Sequence, residues 1–273
     1  MNRGSITLLD LNARAQHNSY NDREKGSYMV KLGVIQTRSY LSNQHGIKEV
    51  SKLLIGAGKA NTDIVCLPEQ WLTENRIDDF DTEFSIFKKI AKEYQMTIIP
   101  GAFYQKKARK WHISAPVIDD SGEVVGIQDK IHPFSYERDL VTPGRKAMVF
   151  HTKCRFGIII CYDMVFSDVA ETLVKKGADV LFSPSRIVKR GIQPWHLYVQ
   201  VRSLENRVPI LAANVQNHRF GGKSIIVSLA DDHGVMLPQI QTAKKPSIKS
   251  SMFDLSKHRK SRLTRYHDHK RFH

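Results

Sequence analysis

Phe156-Gly157-Ile158-Ile159-Ile160-Cys161-Tyr162-Asp163 is the stretch on which the reading turns. A short, continuous, β-branched run of this kind reads as a buried strand. It ends in a thiol followed by polar residues, and Asp168 to Lys176 then carries a helical pattern closed by Gly177, a good C′ residue. Side chains at such strand-to-helix turns project into the crevice above a sheet, with a free backbone N–H beside them that can bind an oxyanion. Two other apolar runs end in a comparable way. Glu69 follows Leu67-Pro68 and Lys130 follows Asp129. A carboxylate, an ammonium and a thiol at strand ends are the groups needed to attack an amide-type carbon. The carboxylate can serve as base for a thiol whose free pKa of about 8.5 leaves little thiolate at neutral pH. An ammonium stabilises a developing oxyanion without transferring a proton.

Outward from this stretch, β-type runs alternate with amphipathic helices, the pattern of an α/β layered fold. Strands are expected at 30–37, 63–67, 97–104, 155–160, 178–183, 209–215, 224–229 and 251–255, with helices at 46–58, 82–94, 168–176 and 195–206. Asp119-Asp120-Ser121-Gly122 is a turn signal between 113–118 and 123–128, which should form a hairpin. No Pro/Gly/Ser-rich linker interrupts the repeat. The expected organisation is a polar N-terminal extension (1–28), one catalytic domain (29–256) and a basic tail (257–273), extended on a neighbour or frayed.

The chain has 273 residues, 41% hydrophobic and 25% charged, the composition of a globular protein with a sizeable core. No apolar stretch approaches the roughly 20 residues that span a bilayer, and no secretory signal is evident at the N-terminus, so the expected location is the cytoplasm. Cys66, Cys154 and Cys161 form no CxxC pair and are read as reduced thiols. The net charge of +15 raises nucleic acid as a partner. No nucleic-acid motif accompanies it, and charge runs are usually solvated faces, so such binding is not expected as the main function. His267, His269 and His273 lie in the basic tail without the setting of a folded metal site. His132, His151 and His196 are available as partners for a thiol, but the sequence gives no reason to choose among them.

Taken together, Leu67-Pro68-Glu69, Asp129-Lys130-Ile131-His132 and Gly157 to Asp163 resemble the three motifs of the nitrilase superfamily of carbon–nitrogen hydrolases, in order, spacing and strand context. Glu137 in Phe134-Ser135-Tyr136-Glu137-Arg138, with Thr142-Pro143-Gly144 after it, resembles the family's second glutamate and its trailing Pro-Gly. Glu205-Asn206 and Phe220 to Ser224 also resemble family segments. The resemblance runs from about Val30 to Leu255.

It implies a single-domain, four-layer αββα sandwich assembled as a homodimer or larger homo-oligomer, working without cofactor or metal. It implies that Cys161 is the nucleophile and Glu69 the general base. Lys130 and the Tyr162 backbone N–H then hold the oxyanion, and Glu137 stands near the attacking water. The substrate would be a small amide, hydrolysed through a thioester. The alternatives are an N-carbamoyl (ureido) amidohydrolase, or a catalytically silent member using its basic surface on an anionic partner. Cys161-Tyr162-Asp163 resembles the amidase-type branches. Val165 stands where omega-amidase and Nit-type branches usually carry an arginine able to grip a substrate carboxylate. Phe103, Tyr104, Phe134 and Trp195 are expected to line the pocket from loop position.

Overall fold

The computed structural model describes residues 28–270, with side chains to Asp268. The expected N-terminal extension, apart from Tyr28, and the last three residues of the tail lie outside the described residues.

Fifteen strands form two sheets among the described residues. The first half of the chain supplies β1 (Met29–Arg38), β2 (Ile64–Cys66), β3 (Arg76–Ile77), β4 (Thr97–Ile99), β5 (Phe103–Lys107), β6 (Lys110–Ile118) and β7 (Val124–Asp129). The second half supplies β8 (Val149–His151), β9 (Arg155–Ile158), β10 (Val180–Pro184), β11 (Ile210–Ala213), β12 (Val215–Gln216), β13 (Ile225–Asp232), β14 (Val235–Thr242) and β15 (Ser247–Asp254). The first sheet runs β12-β1-β2-β4-β6-β5-β3, with β15 antiparallel on β1 and β7 on β6. The second runs β14-β13-β11-β10-β9-β8. In each sheet the central strands that end at the site, β2 with β1 and β4, and β9 with β10, pair in parallel.

The two-residue period of a strand sorts the core. Val30, Leu32 and Val34 of β1 face Phe156, Ile158, Phe182 and Leu211 of the second sheet, forming the layer between the sheets. Ile35, Val65 and Leu67 face the other way. There they meet Val50, Leu54 and Ala57 of α1 (Asn43–Lys59), whose apolar positions recur at helical spacing and whose first turn is capped by Ser42. On the far side, Ile159, Leu181, Ile210 and Val227 pack under α4 (Ser167–Lys175) and α5 (Ile192–Asn206) through Leu173, Val174, Trp195 and Val199. Helix, sheet, sheet and helix layers thus stack as expected.

Four local readings differ. The expected strand 97–104 is broken by Pro100-Gly101 into β4 and β5. The helix at 82–94 is divided into α2 (Phe80–Glu83) and α3 (Ser85–Glu93). β14 is an unanticipated strand, hairpinned to β13 through the two-residue turn His233-Gly234, both of positive φ, at 51° and 88°. The tail is neither extended nor frayed, for Arg259–Lys270 forms α6. Two of its arginines and a phenol tie it to the domain: Arg262 donates to Asp179 at 3.2 Å, Arg259 lies 3.5 Å from the same carboxylate, and the Tyr266 hydroxyl donates to Asn206 at 2.8 Å. An amphipathic reading missed this helix because ion pairs and one phenol hold it, with little apolar surface.

Candidate active site

Three of the site's side chains enter from the first sheet. β2 ends at Cys66, and Pro68 turns the chain so that Glu69 makes a bridge with Ala102 while its N–H donates to Ser185 O at 3.3 Å. This turn needs Gly101. At φ +119° it sits so close that a Cβ would lie 2.1 Å from Pro68 O. β7 ends at Asp129, leaving Lys130 at the rim; its N–H donates to Ile113 O at 2.8 Å and its carbonyl accepts from Gly144 N at 2.7 Å. Any side chain at Gly144 would strike Asp129 O at 2.6 Å, which accounts for the Pro143-Gly144 pair. Glu137 comes from the 3₁₀ turn Ser135–Asp139 and is tied back by the Phe134 N–H, 2.7 Å from its Oε2.

These three residues form one closed ionic group. Lys130 Nζ donates to Glu69 Oε1 at 2.8 Å and to Glu137 Oε2 at 2.8 Å. Lys130, Glu69 and Glu137 are 1%, 2% and 3% exposed. Burial alone would discharge the ammonium, but Glu69, Cys161 and Glu137 outweigh it and push its pKa up, so it stays charged. Burial and the charge of Glu69 push Glu137 above the usual carboxylate range, against the opposing pull of Lys130.

Cys161 enters from the second sheet, at the start of the 3₁₀ turn Cys161–Val165 that follows β9. Its φ is +47°, a left-handed conformation costing a non-glycine residue about 1–2 kcal/mol. That kink takes the residue off the strand direction and places it at the cavity, partly accessible. The first N–H groups of such a turn, that of Tyr162 among them, have no partner within it. Burial and then Glu69 push the thiol pKa well up, while Lys130 and the main-chain N–H of Arg186 oppose this. The resting sulfur is therefore a thiol, close enough to Glu69 to feel the charge of the carboxylate that can take its proton. Cys66 and Cys154 are fully buried among the sheets' apolar side chains, away from this chemistry.

A strut joins the two sheets' contributions. Buried Asp163, two residues after the thiol, accepts from His132 N at 2.6 Å and Ile131 N at 3.1 Å, and lies 3.0 Å from His132 Nδ1. The hydrogen bond to Asp163 raises the His132 pKa, and the imidazole stacks on Phe166 at 3.7 Å. Asp163 thus pins the segment that carries Lys130 to the turn that carries Cys161.

Glu69, Lys130, Glu137 and Cys161 meet at one cavity of about 350 Å³. Of the four candidate lining residues Phe134 and Trp195 face it, with Val165 beside them. Phe103 does not. β5 directs it into the outer core against Phe84 and Trp71, because alternation along the strand assigns it to the helix-facing side. Tyr104 sits behind the wall, its phenol close enough to hydrogen-bond Gln70 and feel Glu137. Sequence reading missed Tyr136, Tyr198, Arg186 and Arg219 as cavity residues. Arg186 follows Ser185 at the end of β10, and a strand-end rule applied to that strand would have found it. Among the described residues no cluster of metal-ligating side chains occurs, and no helix is long and apolar enough to cross a membrane.

The sequence profile described as carbon-nitrogen hydrolase matches residues 31–245. An omega-amidase from Xenopus laevis is 26% identical over 205 residues, 67% of this chain and 74% of that protein. A carbon-nitrogen hydrolase from Helicobacter pylori G27 has a similar fold, with a TM-score of 0.76 at 23% identity, covering 86% of this chain and 93% of the other. The amidase from Nesterenkonia sp. AN1 superposes with a TM-score of 0.72 at 17% identity, covering 90% and 97%; in that structure fluoroacetamide's acetamide moiety is attached to the active-site cysteine.

Proposed function

From the premise that this chain belongs to the carbon–nitrogen hydrolase family, we propose that it hydrolyses an amide to a carboxylic acid and ammonia or amine through a thioester on Cys161. One observation carries the reading: the thiol, held off its strand by a left-handed kink, opens onto the same cavity as Glu69 and Lys130, whose carboxylate and ammonium lie 2.8 Å apart.

Glu69 takes the thiol proton as sulfur attacks the amide carbon, so no free thiolate need accumulate against the charge of Glu69. The C–S bond forms, and the carbonyl oxygen takes up the displaced electron pair beside Lys130 and the Tyr162 N–H. Glu69 then returns the proton to the departing nitrogen as the C–N bond breaks. In the second half Glu69 takes a proton from water, the hydroxide adds to the thioester, and the C–S bond breaks as Glu69 returns that proton to sulfur, releasing the acid and restoring thiol and carboxylate. Glu137 keeps Lys130 charged and directed into the site throughout. The αL backbone at Cys161 and the closed ionic group hold these atoms in place before substrate arrives, which is where such a site gains most of its rate.

Intact-mass measurement during turnover of an amide library tests this. An acyl adduct that maps to Cys161 and disappears on chase is expected. Absence of an adduct in Cys161→Ala together with undiminished turnover would remove the thioester, and a carbamoyl adduct would redirect the substrate to a ureido compound.

A further inference from the structure

Three cavity-lining side chains carry positive charge: Lys130, Arg186 and Arg219. Lys130 is consumed by its two glutamates. The arginines are not. Among the described residues neither forms an ion pair, and the one side-chain hydrogen bond of Arg186 is a long one, 3.5 Å, to the Tyr136 hydroxyl. Both guanidinium groups lie over the same ring, 5.0 and 5.4 Å from the Phe220 centroid.

The backbone makes this arrangement a built one. Val188 and Phe220 form an antiparallel bridge, Lys189 N donates to Arg219 O at 3.1 Å, and Gly221 N donates to Ile187 O at 3.0 Å. Asn217 Oδ1 accepts from the Arg219 and Phe220 N–H groups, at 2.8 Å each, closing the loop that presents Arg219. Arg186 lines the same cavity as Cys161 and is close enough to the sulfur for its main-chain N–H to lower the thiol pKa. The cavity wall also includes Val165, Ile187 and Val188, which offer no charge.

We infer that the substrate of the proposed hydrolysis carries an anionic group at the end opposite the scissile amide, and that Arg186 and Arg219 receive it across an apolar spacer. Two guanidinium groups held on one ring, lacking a carboxylate of their own, are complementary to a carboxylate or phosphate. An anion there completes their hydrogen bonding, whereas a cationic end group would meet two like charges. Val165 takes the arginine's place on the nucleophile's own turn, and the charge complement comes from the β10 and β12 loops. This inference rests on the amide-hydrolase reading for its reacting end but not for its binding end.

Matched substrates decide it. The unmodified protein is assayed with straight-chain alkanamides, the monoamides of dicarboxylic acids of the same length, the corresponding ω-phosphonoalkanamides, and ω-aminoalkanamides. The anionic series should exceed the neutral one in kcat/KM by at least about tenfold, the size of one charge-assisted hydrogen bond, chiefly through KM. The aminoalkanamides should fall below the neutral ones, and the better of the two anionic series identifies the group. In Arg186→Gln/Arg219→Gln the ratio of anionic to neutral kcat/KM should collapse toward one. A ratio near one in the unmodified protein, or one that survives both replacements, overturns the inference. If no amide is turned over, the hydrolase reading fails separately. The anion site is then decided by calorimetric titration of the dicarboxylic monoamides into Cys161→Ala with and without the two arginine replacements, where equal affinity or no binding overturns it.

Discussion

The two sheets equip the site in opposite ways. The first contributes Glu69, Lys130 and Glu137, which are buried, mutually paired and electrically almost self-contained. The second contributes Cys161 on a strained residue and Arg186 without a counter-ion, groups that satisfy little within the protein. The first set is part of the fold's stability, because charges taken out of water survive only as a complete set. The second set stands ready for a partner from outside. Removing a residue should therefore reveal which set it belongs to, by whether stability or turnover alone is lost.

The largest effect on rate is expected at Cys161. Cys161→Ala should lower kcat by at least about ten-thousand-fold with an unchanged or slightly higher melting temperature, since it relieves burial of a polar atom without opening an ion pair. A marked loss of stability would place the thiol in the structural set and blur the distinction.

Lys130→Met should do both kinds of damage. Loss of an oxyanion donor costs on the order of a hundred- to a thousand-fold in rate. Leaving Glu69 and Glu137 buried without their cation should also cost about 3–5 kcal/mol. A shape-similar replacement would be mild for stability if charge mattered only at the oxyanion; the paired geometry argues otherwise. Chemical denaturation of Lys130→Met beside Lys130→Met/Glu137→Gln checks this, because neutralising one carboxylate should return part of the stability and none of the turnover.

Asp163→Asn should cost about ten- to a hundred-fold in kcat by loosening the Lys130 segment relative to Cys161. An NMR titration separates positioning from general damage. His132 now titrates above its ordinary value because of Asp163, and should fall in the variant. Because the folded-state pKa is raised, the His132–Asp163 contribution to stability is fully present below the ordinary histidine value and is lost as pH rises through the raised one.

The pH dependence is expected to be the subtlest readout. Glu137 holds its proton to higher pH than an ordinary carboxyl. As pH falls it protonates early and loosens its hold on Lys130, so the acid limb of kcat/KM should lie above the ordinary carboxylate range. Glu137→Gln should shift or remove that limb. An acid limb unchanged in the variant would detach Glu137 from the ionic group. For stability the sign is opposite to that of a salt-bridged acid. The raised carboxyl favours the fold below the ordinary value, and that contribution is lost as pH rises through the raised one.

Much of this was legible in the chain. Apolar runs with two-residue and helical periods dictate the layers, because burial of one face of each element leaves few arrangements. Glu69, Lys130 and Cys161 each follow a strand signal, Pro68 marks where the first of these strands must end, and Glu137 was picked out by the family resemblance; the bend at Gly101, read as continuous strand, was not. Tertiary structure alone decided the rest. Whether Phe103 faces the cavity or the core depends on where β5 begins after the break at Gly101, a shift of one residue that reverses the face. The helix Arg259–Lys270 depends on Asp179 and Asn206, far away in sequence. The two arginines over Phe220 meet because the loops after β10 and β12 bridge in space, and no local pattern records that meeting. Periodicity and turn chemistry are local and so can be read along the chain. Charge pairing and the lining of a cavity are agreements between distant segments, and they exist only once the chain has folded.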